Sequence, residues 1–275
     1  MDGFVTVSSL SRRFDLSEPW LARVLMGHER KYLDAVDDVS FQIERGTTYA
    51  LVGESGSGKS TIAKIAVGLM LPSKGSVLFD GFNLNDLGQS RQQHNQVRKR
   101  LQMVFQSPFA SLNPCWRVGG ILREPIRAFG LLNDRREEAK RVDELLEQVG
   151  LSSSDAARFP HEFSGGQRQR ISIARALASG PDFIVCDEPT SALDVSVQAQ
   201  VLNLLKQLQR DLGLTYLFIT HDLAVVRNMA HRIGVLQSGK LVEEQEAEDL
   251  FKTPQSAYTK MLLKSAPRLS HSRAR

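Results

Sequence analysis

Eight consecutive residues, Gly53-Glu54-Ser55-Gly56-Ser57-Gly58-Lys59-Ser60, set glycines, a lysine and a terminal hydroxyl at the spacing G-x-x-x-x-G-K-[ST]. Without a Cβ, Gly53, Gly56 and Gly58 can take positive φ and bring the backbone close to a ligand. Successive N–H groups then face one concavity, which suits an anion. In that setting Lys59 reaches the β- and γ-phosphates of a nucleotide, and the Ser60 hydroxyl ligates Mg²⁺. The expected nucleotide contacts are Gly53, Glu54, Ser55, Gly56, Ser57, Gly58, Lys59, Ser60 and Thr61.

Such a loop works only between a strand and a helix. Residues 48–52 (TYALV) read as a short buried strand, and 61–71 (TIAKIAVGLML) have helical spacing up to Pro72. The helix start adds free N–H groups and the positive end of its dipole. At average composition a chance match in a chain this long is on the order of one in a hundred, and the correct flanks lower it further.

The rest of the chain alternates strand and helix, which predicts an α/β core. Strands are expected at 4–10, 35–43, 76–79, 101–105, 183–186 and 215–220. Residues 17–31 read as a loop or short helix, and Ser238-Gly239 as the turn of a late hairpin. Amphipathic helices are expected at 135–149, closed by Gly150, at 197–210 and up to residue 230. Residues 107–179 are mostly helical and read as an insertion between core strands.

Ligands of parallel sheets bind beyond the carboxyl ends of the strands. Gln106, Asp187, Glu188 and His221 each follow a predicted strand directly, so the four can converge on the phosphates. Asp187 suits Mg²⁺, which takes one or two carboxylates and keeps several waters. Glu188 suits a general base or orienter of the attacking water. His221 or Gln106 alone is weak, since a His at a strand end is more often structural; order and context raise their weight. A second loop, Ser164-Gly165-Gly166-Gln167, also opens a helix and is a second anion site of the same kind. One nucleotide has little use for both, whereas two chains set head to tail could each lend the second site to the partner's γ-phosphate.

Bulk properties narrow the class. The chain has 275 residues, 41% hydrophobic, enough for a substantial core, and a net charge of +4. Part of the positive excess lies at Lys252, Lys260, Lys264, Arg268, Arg273 and Arg275, which reads as a solvated end; no nucleic-acid partner is expected. Two cysteines, Cys115 and Cys186, are too few for a disulfide framework or a four-cysteine metal site. The start MDGFVTVSSL has no cationic segment leading into an apolar one, so no secretory signal is expected. No apolar run approaches bilayer length.

Taken together, residues 53–60, FSGGQ at 163–167, FIVCDEPT at 183–190, SALD at 191–194 and His221 closely resemble the ATP-binding cassette (ABC) ATPases over nearly the whole chain. The resemblance implies a P-loop NTPase fold: a RecA-like core, an antiparallel β subdomain and an inserted α-helical subdomain. It places the ATP-binding domain at 4–255, with the helical subdomain at 107–179 and a C-terminal tail at 256–275. It implies ATP and Mg²⁺ as ligands, with Ser60, Gln106 and Asp187 on the metal, and catalysis by Glu188, His221, Lys59 and Gln106. Phe14 matches the aromatic that stacks on adenine, with Tyr32 as a rival. Gln106 matches the residue that reports to the membrane partner, Ser164 to Gln167 the signature reaching the other subunit's ATP, and Asp194 the loop crossing the dimer interface. The usual signature begins with Leu; here Phe163 stands in its place.

Residues 111–126 (SLNPCWRVGGILREPI) and 251–269 (FKTPQSAYTKMLLKSAPRL) resemble the oligopeptide, dipeptide and nickel importer branch, of the shorter, second ATPase kind. Ser256-Ala257 stand where the tail box usually has His-Pro before Tyr258. The cysteine cluster that some relatives carry for iron–sulfur is missing beyond Cys186. The resemblance implies an ATPase at the cytoplasmic face of the inner membrane, with two permeases, a second homologous ATPase and a solute-binding protein. Peptides are the expected cargo and nickel or another small solute the alternative. A soluble ABC ATPase acting on ribosomes or DNA is the reading from a different class.

Overall fold

A computed structural model of the chain describes residues 3–17, 30–86 and 91–265. Most of the 17–31 segment and the basic residues Arg268, Arg273 and Arg275 lie outside the described residues. The strands are β1 (Val5–Asp15), β2 (Tyr32–Ile43), β3 (Thr48–Val52), β4 (Lys74–Phe79), β5 (Phe82–Asn83), β6 (Leu101–Val104), β7 (Phe183–Asp187), β8 (Thr215–Thr220), β9 (Arg232–Gln237) and β10 (Lys240–Glu246). The helices are α1 (Lys59–Ala66), α2 (Arg91–Arg100), α3 (Pro108–Ser111), α4 (Val118–Ala128), α5 (Arg135–Gln148), α6 (Gly165–Leu177), α7 (Val195–Leu212), α8 (Leu223–Met229), α9 (Ala247–Lys252) and α10 (Ala257–Ser265).

Two sheets form. A six-stranded sheet has the order β10-β9-β3-β8-β7-β6. Its pairings from β9 to β6 are parallel, and only β10 runs antiparallel at the edge. β3, β7 and β8 are buried at every residue, as expected of parallel strands covered on both faces. β3, β6, β7 and β8 therefore end on one edge, where Gly53, Gln106, Glu188 and His221 follow. The second sheet is antiparallel, in the order β2-β1-β4-β5. The Glu44–Gly46 turn carries the chain from β2 in one sheet to β3 in the other.

Several element ends differ from the sequence expectation. The helix after the P-loop begins at Lys59 and stops at Ala66, not at residue 71. Gly68 adopts φ +70, and the Leu69 and Met70 amides both donate back to the Lys64 carbonyl, a closure that glycine permits. β1 runs on to Asp15 instead of ending at residue 10. Its register with β2 shifts near Leu10, where Ser9 and Asp38 have positive φ. Hydroxyls absorb the disturbance: the Ser9 amide donates to Ser40 Oγ at 2.8 Å and the Asp38 amide to Ser11 Oγ at 3.0 Å. Such bulges break strict alternation, which is why the strand's second half is hard to read from sequence. The inserted region is helical as expected, built from α3 to α6 with two 3-10 turns between them.

The two sheets meet along an aromatic seam. Phe4 packs edge-on against Phe79 at 5.0 Å, Phe41 stacks on Tyr49 at 4.6 Å, and Phe79 reaches Phe183 at 6.3 Å. Arg100 ties the seam at its rim, donating to Asp80 Oδ2 at 2.6 Å and to Asp182 while lying over the Phe79 ring. The Arg100 hydrogen bond holds the Asp80 carboxyl below its usual range. A depressed carboxylate adds stability above its unfolded value, near 3.9, that is lost as pH falls through the folded value. Arg100→Ala is therefore expected to cost about 1–2 kcal/mol in urea unfolding at pH 7, with a smaller difference from wild type below about pH 4.

Candidate active site

The loop between β3 and α1 has the shape its glycines allow. Gly53, Gly56 and Gly58 have φ of 155°, 80° and 104°. A Cβ on Gly53 would lie 2.1 Å from the Leu236 carbonyl oxygen, and one on Gly58 would lie 2.2 Å from that of Ala35. At both positions glycine is required by conformation and by space. The Lys59 side chain folds back into the loop it follows, donating to the Gly53 carbonyl at 2.8 Å and the Glu54 carbonyl at 2.7 Å. Lys59 is only 5% exposed. Burial pushes its ammonium down, and Glu188, Asp187 and Glu54 oppose that shift. The result is a cation already stripped of most of its water, facing an anion cradle.

Across from the loop, Ser60 Oγ donates to Asp187 Oδ1 at 3.1 Å. Asp187 is buried at the end of β7, and burial pushes its carboxyl up while the Ser60 hydrogen bond opposes. Glu188 follows in a left-handed conformation, φ 46°, with its amide donating to the Ile219 carbonyl at 2.9 Å. Non-glycine residues rarely adopt this region, and where they do the strain is often functional. Here it belongs to a residue whose side chain lines the same cavity as Lys59 and Ser60. Each Glu188 oxygen is held: Gln106 Nε2 donates to Oε2 at 2.9 Å, and His221 Nδ1 lies 3.1 Å from Oε1. Gln106, Glu188 and His221, predicted to converge from the ends of β6, β7 and β8, do meet, and Asp187, the residue before Glu188, bonds Ser60 of the loop.

Lys59, Ser60, Gln106, Glu188 and His221 open on one cavity of about 870 Å³, while Asp187 is not among its lining residues. Phe14 and Leu33 line it as well, while Tyr32 is not among its lining residues. Tyr32 instead lies beside Arg13, at 5.6 Å, and accepts a hydrogen bond from Arg30 at 3.3 Å. Of the two aromatics weighed for adenine, Phe14 is the one placed at the cavity. The C-terminal helix α10 also contributes a wall through Leu262 and Ser265, residues that nothing in the sequence marked as belonging to a site. The only prior signal was the family resemblance of the tail.

The loop Ser164 to Gln167 lies elsewhere, and none of its residues lines the cavity. It begins α6 through a reciprocal cap: the Gln167 amide donates to Ser164 Oγ and the Ser164 amide to Gln167 Oε1 at 3.0 Å. A Cβ on Gly166 would lie 2.3 Å from Val197 Cγ1, and one on Gly165 would touch Leu193 at 3.5 Å. This helix end therefore packs beside the start of α7, where Asp194 is exposed. Cys186 precedes Asp187 in β7; it is fully buried, and burial pushes its thiol up. It does not line the cavity.

A glycine-rich loop gripping a buried lysine, with a serine–aspartate pair and a carboxylate at neighbouring strand ends, defines a P-loop nucleotide hydrolase. A family model for the ABC transporter matches residues 36–191. The chain is 49% identical over 261 residues to a putative oligopeptide transport ATP-binding protein, YkfD, of Bacillus subtilis, covering 95% of this chain and 75% of that protein. It is also 49% identical over 244 residues to the oligopeptide transport ATP-binding protein AmiF of Streptococcus pneumoniae, covering 89% and 79%. Among solved structures, the dimeric ATP-binding cassette MJ0796 in a post-hydrolysis state with ADP and Pi superimposes with a TM-score of 0.75 at 30% identity, covering 88% of this chain and 98% of that one. The chain belongs to the ABC transporter family and is an ATPase that binds ATP.

Two of the three loop glycines differ in a way that can be tested. Gly58 has no room for a Cβ, whereas Gly56, also at positive φ, meets nothing within 4 Å. Gly56→Ala is expected to cost about 1–2 kcal/mol of stability and to keep ATP binding. Gly58→Ala should abolish binding measured by fluorescent-nucleotide titration, because the cradle cannot close around Lys59.

Proposed function

We propose that this chain is the ATP-hydrolysing subunit of an ABC importer for peptides, seated on the cytoplasmic face of the inner membrane. The observation that carries the catalytic reading is the Glu188 carboxylate held at both oxygens, by Gln106 and His221, beside the Lys59 cradle. Peptide cargo is supported by the names of the relatives, which describe oligopeptide transport ATP-binding proteins. Among the described residues no helix is long and apolar enough to cross a membrane, so attachment falls to partners. Those partners are two membrane permeases, a second homologous ATPase and a solute-binding protein. The working units are an ATP-binding domain at 4–255, its helical subdomain at 107–179 and a tail at 256–275.

In this reading ATP lies along the cavity, its adenine on Phe14 and its phosphates against Gly53 to Thr61. The donor set fits Mg²⁺: the Ser60 hydroxyl and the Asp187 carboxylate form an oxygen-only pair that suits a hard cation keeping its waters. Among the described residues no cluster of three or more His, Cys, Asp or Glu could hold a different metal. Ser60, Asp187 and Gln106 would hold the ion, which neutralises phosphate charge when bound. Lys59 adds a second, fixed positive charge at the γ-phosphate. Glu188 accepts a hydrogen bond from the attacking water and draws off its proton, while Gln106 and His221 hold the carboxylate in line. The signature Ser164 to Gln167, outside this chain's own cavity, serves the ATP of a facing subunit. Asp194 lies at the seam between the two, a dimer in which ATP closes the interface and hydrolysis reopens it. The dimeric state of the MJ0796 cassette supports that arrangement.

Glu188→Gln keeps the shape and removes the base. Steady-state ATP turnover is expected to fall at least about 100-fold, while ATP affinity and ATP-dependent dimers in size-exclusion chromatography persist. Undiminished turnover would remove Glu188 from the mechanism. For the transport reading, the chain should co-purify with membrane permeases, and co-sedimentation with ribosomes in their place would sink it.

A further inference from the structure

The peptide plane between Gly53 and Glu54 is gripped from both sides. Its carbonyl accepts the Lys59 ammonium at 2.8 Å, and its N–H, that of Glu54, donates to the Tyr258 hydroxyl at 3.3 Å. Gly53, whose carbonyl belongs to this plane, has φ 155°, a value that side-chain-bearing residues rarely take. A plane with such freedom needs partners to hold it. Lys59 supplies one, and the other comes from α10, about two hundred residues further along the chain.

The attachment of α10 is built. Glu243 on β10 is 9% exposed. It accepts the Gln255 amide at 2.7 Å, the Ser256 amide at 2.9 Å and the Gln245 side chain at 2.7 Å. Those hydrogen bonds hold its carboxyl below the usual range against the cost of burial. Ser256 Oγ in turn accepts the Tyr258 amide at 3.2 Å, fixing the first turn of the helix. Tyr258 is 8% exposed and belongs to the apolar cluster that includes Ala50 and Val52 of β3 and Leu223 and Val226 of α8. Residues 258, 262 and 265 lie at i, i+4 and i+7, on one helix face. Along that face the Tyr258 hydroxyl meets the phosphate loop, and Leu262 and Ser265 line the cavity shared with Phe14.

We infer that Tyr258 is a positioning residue of the phosphate loop: its hydroxyl holds the Gly53–Glu54 peptide in the orientation that lets Lys59 be caught by the loop, so docking of the C-terminal helix sets affinity for ATP. This rests on the nucleotide reading given above. A fixed loop needs no reordering when phosphate arrives, so the benefit falls on binding and not on the chemical step.

Tyr258→Phe keeps the buried ring and removes only the oxygen. The expected result, with the full chain, is a rise of about threefold in the Kd for ATP and in KM, with kcat unchanged. Exchange of the Glu54 amide, followed by NMR without nucleotide, should quicken, while the unfolding midpoint stays within about 2 °C. Glu243→Ala, which frees the start of α10, should raise the Kd by about tenfold. Lys59→Ala is the control for the site itself. If wild type binds ATP and Lys59→Ala does not, yet Tyr258→Phe matches wild type in Kd and in Glu54 exchange, the positioning role is overturned and the nucleotide reading stands. If wild type binds no nucleotide, the nucleotide reading falls and this inference falls with it.

Discussion

A buried ammonium dictates much of this structure. Lys59 is almost without water, and an unpaired cation in that position would cost several kcal/mol. Two loop carbonyls and nearby carboxylates offset the loss. Two carbonyls can turn toward a lysine six and five residues later only if the loop doubles back on itself, which requires glycines at positive φ. The loop must also be pinned at both ends, by a central parallel strand and by a helix whose first residue is the lysine itself. The placement of β3 in the middle of the sheet, the tight contact of Gly58 with Ala35 and the contact of Gly53 with Leu236 are consequences of that demand.

Glu188 is the second node. Its two oxygens are held by residues that belong to different parts of the molecule. Gln106 stands at the entry to the inserted helices α3 to α6, and His221 stands just before α8. A displacement of either neighbour alters the carboxylate without touching the phosphate loop. The left-handed backbone at Glu188 fixes where the carboxylate begins; the two side-chain partners fix where it ends. Two separate parts of the fold thus hold a single group.

Much of the site was legible because its demands are local. The P-loop glycines, the lysine and the serine are consecutive, and Gln106, Asp187, Glu188 and His221 each follow a run of apolar residues that reads as a buried strand. What stayed hidden depends on backbone conformation or on distant contacts. Glu188 at positive φ leaves no mark in an Asp-Glu-Pro string. The helix α2 carries Val97 as its single large apolar residue among RQQHNQVRKR, so it has no periodic stripe to read. The early end of α1 turns on one glycine inside an otherwise apolar run. Tyr258 was visible as part of a family-like tail, but its reach back to Glu54 crosses the whole chain, and no spacing rule predicts it.

The two cysteines acquire a use that neither residue's chemistry supplies. Cys115 is exposed and Cys186 is sealed within β7, next to Asp187. A thiol in such a strand stays inert until the surrounding core opens. The chain therefore carries a matched pair of clocks, one keeping the time of the solvent and the other the time of breathing in the strand that ends at Asp187.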